Sequence, residues 1–206
     1  MPGVRLESGR GFSYVRDSKL DMRMDQSQSL TAAEAVNGLD KNKLTEILYT
    51  HGEERYAGLI VREIIKRRQI KPIETTLELA EIVKYALRNI KYTGGHPAKR
   101  TFQAIRIYVN RETENIKPAL DSLERMLESG GRLVVISFHS GEDRIVKNCF
   151  AEYEKNCVCP PDFPVCVCKK EATSKIITKK PVLPRKEETE ANPPSAPAKL
   201  RVLEKL

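Results

Sequence analysis

A polar segment with chemistry-bearing side chains follows the most apolar run of the chain. Residues 132–136 are mostly aliphatic and β-branched, and Ser137, Phe138, His139 and Ser140 come directly after them. A run that is apolar on both faces is typical of a strand buried in the middle of a parallel sheet. Because ligands bind outside the carboxyl ends of such strands, the sequence predicts the chemistry of this protein in this polar segment.

A helix is predicted to begin immediately after the polar segment. Ser140 is a candidate N-cap, and Glu142 and Asp143 lie in the first turn, where carboxylates interact favourably with the helix dipole. Asp143 and Arg144 could form a pocket wall, or they could cap the helix and pair with neighbouring side chains. His139 could contact a ligand, or it could be a structural histidine bonded to a nearby loop.

A group of cysteines is the second feature that could bind a metal or take part in chemistry. Four of the five cysteines lie close together in two Cys-x-Cys pairs, at Cys157, Cys159, Cys166 and Cys168. Four thiolates satisfy the tetrahedral coordination of zinc, but the single residue within each pair is fewer than the usual two to four. The alternative is a proline-rich loop with reduced cysteines, and the spacing leaves both interpretations open.

Helical patterns dominate the first half of the chain. Thr31 with Glu34, and Thr75 with Glu78, form capping boxes, each followed by apolar residues at helical spacing. Further helices fit the intervening residues, and no strand pattern interrupts them. We therefore predict an all-helical domain over residues 31–92.

The remaining residues, 1–30 and 93–206, are predicted to form the other domain. Two short strand candidates, 175–178 and 200–204, follow the apolar run, and residues 179–198 between them are rich in proline and charge. That composition predicts a flexible surface connection. Helices around one central strand and two late strands indicate part of an α/β sheet. We expect the central strand either to pair with residues outside the chain or to belong to a fragment, and its unpaired edge to favour aggregation.

The charge balance favours a polyanionic partner. The formal net charge is +8, from 36 Lys and Arg against 28 Asp and Glu, although a basic protein with no such partner is an equal alternative. No apolar run reaches the roughly 18 residues of a membrane helix, and no signal-peptide core is present at the N-terminus, so a cytoplasmic location is expected. Basic residues that could hold phosphates, or form solvated helix faces, are Lys99, Arg100, Arg106, Arg62, Lys66, Arg67 and Arg68.

Several motifs resemble one family, the RsmH (MraW) methyltransferases. They occur in the family's order and span most of the chain. They are Gly-Phe-Ser-Tyr at 11–14, Leu-Asp-Met-Arg-Met-Asp at 20–25, Gly-Glu-Glu-Arg-Tyr at 52–56, His-Pro-Ala-Lys-Arg-Thr-Phe-Gln-Ala-Ile-Arg-Ile at 96–107, and Ile-Ser-Phe-His-Ser at 136–140 with Glu-Asp-Arg-Ile-Val-Lys at 142–147.

The resemblance implies a function, a fold and a partner. The function is transfer of a methyl group from S-adenosylmethionine to the exocyclic N4 amine of a cytidine in 16S ribosomal RNA, near the decoding centre. The fold is α/β, the C-terminal part of a Rossmann-like S-adenosylmethionine-dependent methyltransferase with an all-helical insertion. The partner is 16S ribosomal RNA in the small ribosomal subunit, without DNA, membrane or a metal ion.

The chemistry of the reaction that this resemblance implies suggests roles for individual residues. A base that leaves its helix can be stacked on an aromatic ring such as that of Phe138, and His139 could either orient the base or accept the proton that its amine loses. The catalytic candidates are therefore His139, Ser137 and Phe138. The candidates for substrate binding are His96, Lys99, Arg100, Gln103, Arg106, Ser140, Asp143, Arg144, Asp21 and Arg23, where an internal ion pair is the alternative for Asp21 and Arg23. The candidates for cofactor contact are Gly3 and Phe12.

The chain also departs from the family pattern. The Gly-Gly-His cofactor loop of the family is not found, Met1 and Arg5 stand where cofactor-region Asp and Gln are expected, and Gly141 stands where Leu is usual. We therefore expect a truncated form of the enzyme. The alternative is a non-catalytic RNA-binding remnant that keeps the insertion and the pocket wall.

Overall fold

The computed structural model describes residues 9–91, 95–157, 159, 168 and 170–206. The chain divides into two compact units, Met1–Glu112 and Thr113–Leu206. Helices and a small sheet are both present, as the α/β prediction requires at its coarsest level. None of the helices in the described ranges combines the length and the apolar character that a membrane crossing needs.

The first unit is helical among its described residues. Both predicted capping boxes are confirmed, since the Thr31 and Thr75 side chains accept the N–H of Glu34 and Glu78, whose carboxylates bond back to the cap. The helices are α1 (Ala32–Gly38), α2 (Lys41–Gly52), α3 (Ala57–Arg68), α4 (Thr76–Ala86) and α5 (Lys99–Asn110).

The core of the first unit joins α1–α4 to α5 and to the loop before α1. Leu20 and Met22 of that loop are fully buried in the same cluster as Phe102 and Ile105 of α5. Gly52, at the end of α2, allows α5 to approach closely, because a Cβ there would lie 2.6 Å from the carbonyl oxygen of Arg100. The helix that carries predicted site residues is thus fixed by backbone contact as well as by apolar packing.

The second unit places two helices against a small antiparallel sheet. Among the described residues the sheet has three strands in the order β1-β3-β2, and both pairings are antiparallel. The elements are α6 (Ile116–Met126), β1 (Arg132–Ser137), α7 (Ser140–Glu154), β2 (Ser174–Ile176), α8 (Lys186–Ala191), a 3-10 turn (Pro193–Ser195) and β3 (Lys199–Lys205).

The prediction of a parallel, doubly buried central strand is wrong for the part of the chain that the structure describes. β1 is an edge strand whose partner, β3, runs antiparallel to it. Leu133 and Val135 pack with α7 in the core, whereas Val134 and Ile136 on the other face are 54% and 55% exposed. An apolar run indicates only that both faces of the strand can be buried. It does not specify whether the partner strand runs parallel or antiparallel.

The connection over residues 179–198, which was predicted to be flexible, contains regular structure. α8 and the 3-10 turn lie within it, and Val182 forms an antiparallel bridge with Leu200 of β3. The charge block that suggested flexibility contains Glu187 and Glu188, which lie in the first turn of α8. Carboxylates in this position interact favourably with the positive end of the helix.

Candidate functional site

The predicted site residues fall into two groups, one in each unit. In the second unit, the polar segment after β1 lies at the carboxyl end of the strand, as predicted. Ser137 is buried and its Oγ donates to the carbonyl of Lys199 at 3.4 Å. Phe138 is 56% exposed, and His139 lies between this ring and the start of α7. The segment thus presents one exposed ring beside a largely enclosed imidazole.

His139, and not Ser140 as predicted, is the N-cap of α7. Its Nδ1 accepts the N–H of Glu142 at 3.2 Å, and the Glu142 carboxylate accepts the N–H of Phe138 at 2.9 Å and that of His139 at 3.3 Å. The imidazole takes the place of the usual hydroxyl or carboxylate in a capping box. The standard N-cap preferences do not include His, so they selected Ser140, the next residue, instead.

The helix cap determines which nitrogen of a neutral His139 ring carries the proton. Because the lone pair of Nδ1 accepts a backbone N–H, the ring proton lies on Nε2. Nε2 is buried and lacks a well-aligned hydrogen bond, although Oε1 of Glu142 is 3.2 Å away. Burial raises the pKa of the Glu142 carboxyl, but its bonds to His139 and to the Phe138 N–H outweigh burial and hold that pKa below its usual value. His139 therefore offers an N–H donor beside a carboxylate.

Asp143 is committed to a buried ion pair. Its carboxylate accepts from Nε of Arg201 at 2.7 Å and from Nη2 at 3.1 Å, and Nζ of Lys199 is 3.7 Å away. Hydrogen bonding to Arg201 holds the pKa of Asp143 below its ordinary value. In the β1–β3 register Arg201 is opposite Val135, so it projects to the face covered by α7.

Arg201 is a residue that the sequence reasoning missed. It lies 58 residues from its partner, in strand β3, and no local pattern connects the two. Of the other predicted residues here, Ser140 is half-buried at the first position of α7, and Arg144 lies exposed one turn further on. Ser137, Phe138, His139, Ser140, Asp143 and Arg144 are therefore close together, as their sequence spacing requires.

The predicted basic residues of the first unit lie on α5. Lys99, Gln103 and Arg106 recur at three- and four-residue spacing, so they share one face of the helix. Lys99 is exposed, but Arg106 donates to both carboxylate oxygens of Glu112 at 2.9 and 3.1 Å. Arg100 donates to the backbone carbonyl of Glu53 at 3.0 Å. Arg100 and Arg106 thus both have protein partners.

The predicted pair Asp21 and Arg23 forms the internal ion pair that was the alternative interpretation. Two bonds of 2.8 Å join the guanidinium to the carboxylate, and the bond to Arg23 lowers the pKa of Asp21. Asn110, the last residue of α5, donates to the carbonyl of Met22 at 2.8 Å and accepts the N–H of Met24 at 2.6 Å. Asn110 therefore holds this loop at the end of α5, a role that the sequence reasoning did not identify.

An aromatic cluster surrounds the remaining predicted residues of this unit. The imidazole of His96 stacks on Tyr14 with 4.5 Å between ring centroids, and Tyr14 meets Phe102 edge to face. Nδ1 of His96 accepts the N–H of Ala98 at 3.2 Å, and burial lowers the pKa of His96. His96 is therefore held in position as a neutral ring next to Lys99.

The basic cluster of α3 divides between structural and surface roles. Arg68 donates to the carbonyls of Val36 and Leu39, both at 2.7 Å, and so satisfies the C-terminal end of α1. Arg67 pairs with Glu63 and lies over the ring of Tyr85. Arg67 also lines a groove of about 680 Å³, whose other charged residues include both basic and acidic side chains.

Comparison with known proteins identifies the family. A family model described as the MraW methylase family matches residues 4–206. The chain belongs to the MraW methylase family. Similar proteins are the ribosomal RNA small subunit methyltransferases H of Caldicellulosiruptor saccharolyticus, 55% identical over 197 residues, and of Halothermothrix orenii, 52% identical over 198 residues. Each alignment covers 96% of this chain and 64% of the relative. The chain thus spans less than two thirds of the length of these relatives.

A methylase of the MraW family needs a methyl donor, but the described residues offer no clear site for one. Gly3 lies outside the described residues, and Phe12 packs against the core of the first unit. In the described ranges all strand pairings are antiparallel, and no parallel strand leads into a Gly-rich turn and a helix of the kind that holds a nucleotide-like cofactor. These residues therefore do not form a recognisable cofactor cradle.

Proposed function

We propose that this member of the MraW methylase family serves S-adenosylmethionine-dependent methylation of the N4 amine of a cytidine in 16S ribosomal RNA, near the decoding centre. The observation that carries the proposal is the family match over residues 4–206, and the relatives are named ribosomal RNA small subunit methyltransferases H. The cytoplasmic location and the Rossmann-like fold with a helical insertion over residues 31–92 belong to the same proposal.

The geometry after β1 supports a role in holding the base. Phe138 exposes its ring next to the enclosed imidazole of His139, and a base taken out of its helix is commonly stacked on such a ring. The Nε2–H of His139 is a hydrogen-bond donor, and the Watson–Crick edge of cytosine carries the acceptors O2 and N3. Nε2 is buried in this structure and lies 3.2 Å from Oε1 of Glu142, so His139 orients the base only if its N–H turns from Glu142 to the base on binding.

The same geometry argues against His139 as the proton acceptor. A neutral ring whose Nδ1 caps α7 has its proton on Nε2, so neither nitrogen is available as a base. Asp143 is occupied by Arg201, and Ser137 Oγ by the carbonyl of Lys199. We therefore assign His139 to positioning of the base, and Ser137 and Asp143 to support of the segment that carries it.

For the first unit, the proposal is contact with the RNA backbone. Lys99 is exposed at the start of α5, on the face that also carries Gln103 and Arg106. Phosphate contacts contribute affinity without sequence preference and weaken as salt rises. Because Glu112 neutralises Arg106, we expect Lys99 to contribute more to binding than Arg106.

The test is a methyl-transfer assay of the chain with labelled S-adenosylmethionine and small ribosomal subunits, together with calorimetric titration of the donor. The informative variant is His139→Asn, because Asn is also a good N-cap and keeps α7 capped while it removes the Nε2 donor. The proposal expects donor binding, and expects this variant to lose activity without losing stability. A folded chain that neither binds the donor nor transfers the methyl group would contradict it.

The second candidate function is a non-catalytic RNA-binding remnant. It is favoured by the lack of a cofactor cradle among the described residues. Titration of the chain with a 16S ribosomal RNA fragment at several salt concentrations distinguishes the two candidates. Salt-dependent RNA binding that Lys99→Met weakens, without donor binding, would favour the remnant over the enzyme.

A further inference from the structure

Three cysteines beyond α7 bring their sulfur atoms together. Cys157 follows the helix closely, Cys159 comes two residues later, and Cys168 belongs to the second Cys-x-Cys pair. The Sγ atoms of these three residues all lie within 4.8 Å of one another. The Sγ atoms of Cys157 and Cys168 are 3.7 Å apart, although these residues are 11 positions apart in the chain.

The distance between the sulfur atoms of Cys157 and Cys168 matches a metal site better than a disulfide. Zinc binds thiolates at about 2.3 Å in a tetrahedral arrangement, which places each pair of sulfurs about 3.8 Å apart. The separation of 3.7 Å between Cys157 and Cys168 is close to that tetrahedral edge. A disulfide bond is only about 2.05 Å long, so the two sulfurs are well outside bonding distance.

The backbone around the first cysteine favours a thiolate. The N–H of Cys159 donates to Sγ of Cys157 at 3.4 Å, so a backbone dipole points at the sulfur. A hydrogen bond of this kind stabilises negative charge on sulfur and also orients it. Both are requirements for a sulfur that binds a cation.

The two ends of the cysteine segment are anchored independently of any metal. Asn156 accepts the N–H of Ala172 at 2.9 Å, and the ammonium group of Lys170 donates to the carbonyl of Glu152 at 2.8 Å. The N–H of Thr173 bonds to the carbonyl of Tyr153 at 3.0 Å. These bonds hold the flanks of Cys157 and Cys168 side by side, so less chain entropy opposes assembly of the site.

We propose that Cys157, Cys159 and Cys168 bind one zinc ion. Binding exchanges the proton of each thiol for a sulfur–zinc bond and releases the protons to solvent, with no oxidation or reduction. Thiolate sulfur in tetrahedral geometry is the donor set that zinc prefers. Cys166, which the sequence analysis included, lies outside the described residues, and the fourth ligand is left unassigned.

The first experiment measures metal content. The full 206-residue chain is expressed with zinc in the medium, purified without chelator and analysed by elemental mass spectrometry. We expect one zinc ion per chain, near-zero zinc in Cys157→Ser and Cys168→Ser, and full zinc in the control Cys149→Ser, because Cys149 is buried in α7 apart from the cluster. Equal zinc in all variants, or none in the native chain, would overturn the proposal.

A second measurement needs no variant to fold. Cobalt is added to the native chain after removal of metal under reducing conditions, because tetrahedral cobalt–thiolate centres absorb strongly in the visible and near ultraviolet. The proposal expects these bands, and expects zinc to abolish them by displacement. A weak spectrum typical of octahedral cobalt would mean that the cysteines form no thiolate site and would refute the assignment.

Discussion

Removal of the Asp143 carboxylate should destabilise the second unit strongly. Asp143 and Arg201 are 8% and 7% exposed, and two charge-assisted hydrogen bonds of 2.7 and 3.1 Å join them. Such bonds contribute about 1.5–3 kcal/mol each, and breaking a buried pair costs about 3–5 kcal/mol because a charge is left uncompensated. We expect Asp143→Ala to cost about 3–5 kcal/mol, a large part of the about 5–15 kcal/mol typical of domain stability.

The two halves of the pair should not be equivalent. Asp143→Ala leaves the charges of Arg201 and Lys199 without their carboxylate, whereas Arg201→Met leaves Asp143 with Lys199 at 3.7 Å. The loss in Arg201→Met should therefore be the smaller of the two. Replacement of the pair by Leu and Met together should recover most of the stability, because an apolar pair leaves no buried charge.

Low pH should remove the stability that the Asp143–Arg201 pair contributes. Arg201 lowers the pKa of Asp143 in the folded chain, so the stabilisation is present above the unfolded-state value of about 3.9 and is lost as pH falls through the lower folded-state value. Asp143→Asn should abolish this part of the acid sensitivity.

The assay is hydrogen–deuterium exchange of peptides from β1, α7 and β3 at increasing urea, because exchange reports each unit separately. The matched control is Glu204→Gln, which removes a pair with Arg132 on the same two strands. Arg132 is 62% exposed, so this pair should contribute at most about 1 kcal/mol. An effect of Asp143→Ala no larger than that of Glu204→Gln would refute the reasoning.

Three further changes test other parts of the fold. Thr75→Ala should cost about 1 kcal/mol by loss of the α4 capping box. The control Thr50→Ala, at an exposed position of α2, should change stability by less than about 0.5 kcal/mol. Both are measured by urea denaturation followed by circular dichroism. Val134→Lys should reduce self-association in sedimentation velocity, because it places a charge on the exposed apolar face of the edge strand β1; unchanged association would exclude that face. Tyr153→Phe should cost about 1.5–3 kcal/mol in thermal unfolding, since it removes the 2.6 Å bond from the hydroxyl to the Asp121 carboxylate; no shift would show that this bond contributes little.

Local signals predicted the helices well. The two capping boxes are complete within four residues of sequence, and the spacing of Phe102 and Ile105 in α5 is a local property as well. The partner of β1 could not be predicted in the same way. Strand pairing depends on residues far along the chain, and an apolar run is compatible with several partners. The direction of β1 in its sheet therefore required the structure.

The candidate site shows the same division. Position at the end of an apolar strand was enough to select Phe138 and His139. The capping role of His139 was hidden because imidazole is not among the usual N-cap groups, and the partner of Asp143 was hidden because Arg201 is 58 residues away. Local patterns thus located the polar segment, while long-range contacts determine which of its atoms are already used.

Hydrogen bonds within the protein limit which groups of the polar segment can bind a ligand. Asp143 cannot both hold Arg201 and accept a hydrogen bond from a substrate without loss of a buried pair, and Ser137 is bonded to β3. The ring of Phe138 is 56% exposed and therefore accessible to a ligand, whereas Nε2 of His139 is buried and lies 3.2 Å from Oε1 of Glu142. Substitutions of Phe138 should therefore change binding without changing stability, whereas substitutions of Asp143 should change both. Binding data on Asp143 variants have to be interpreted together with the stability of the sheet.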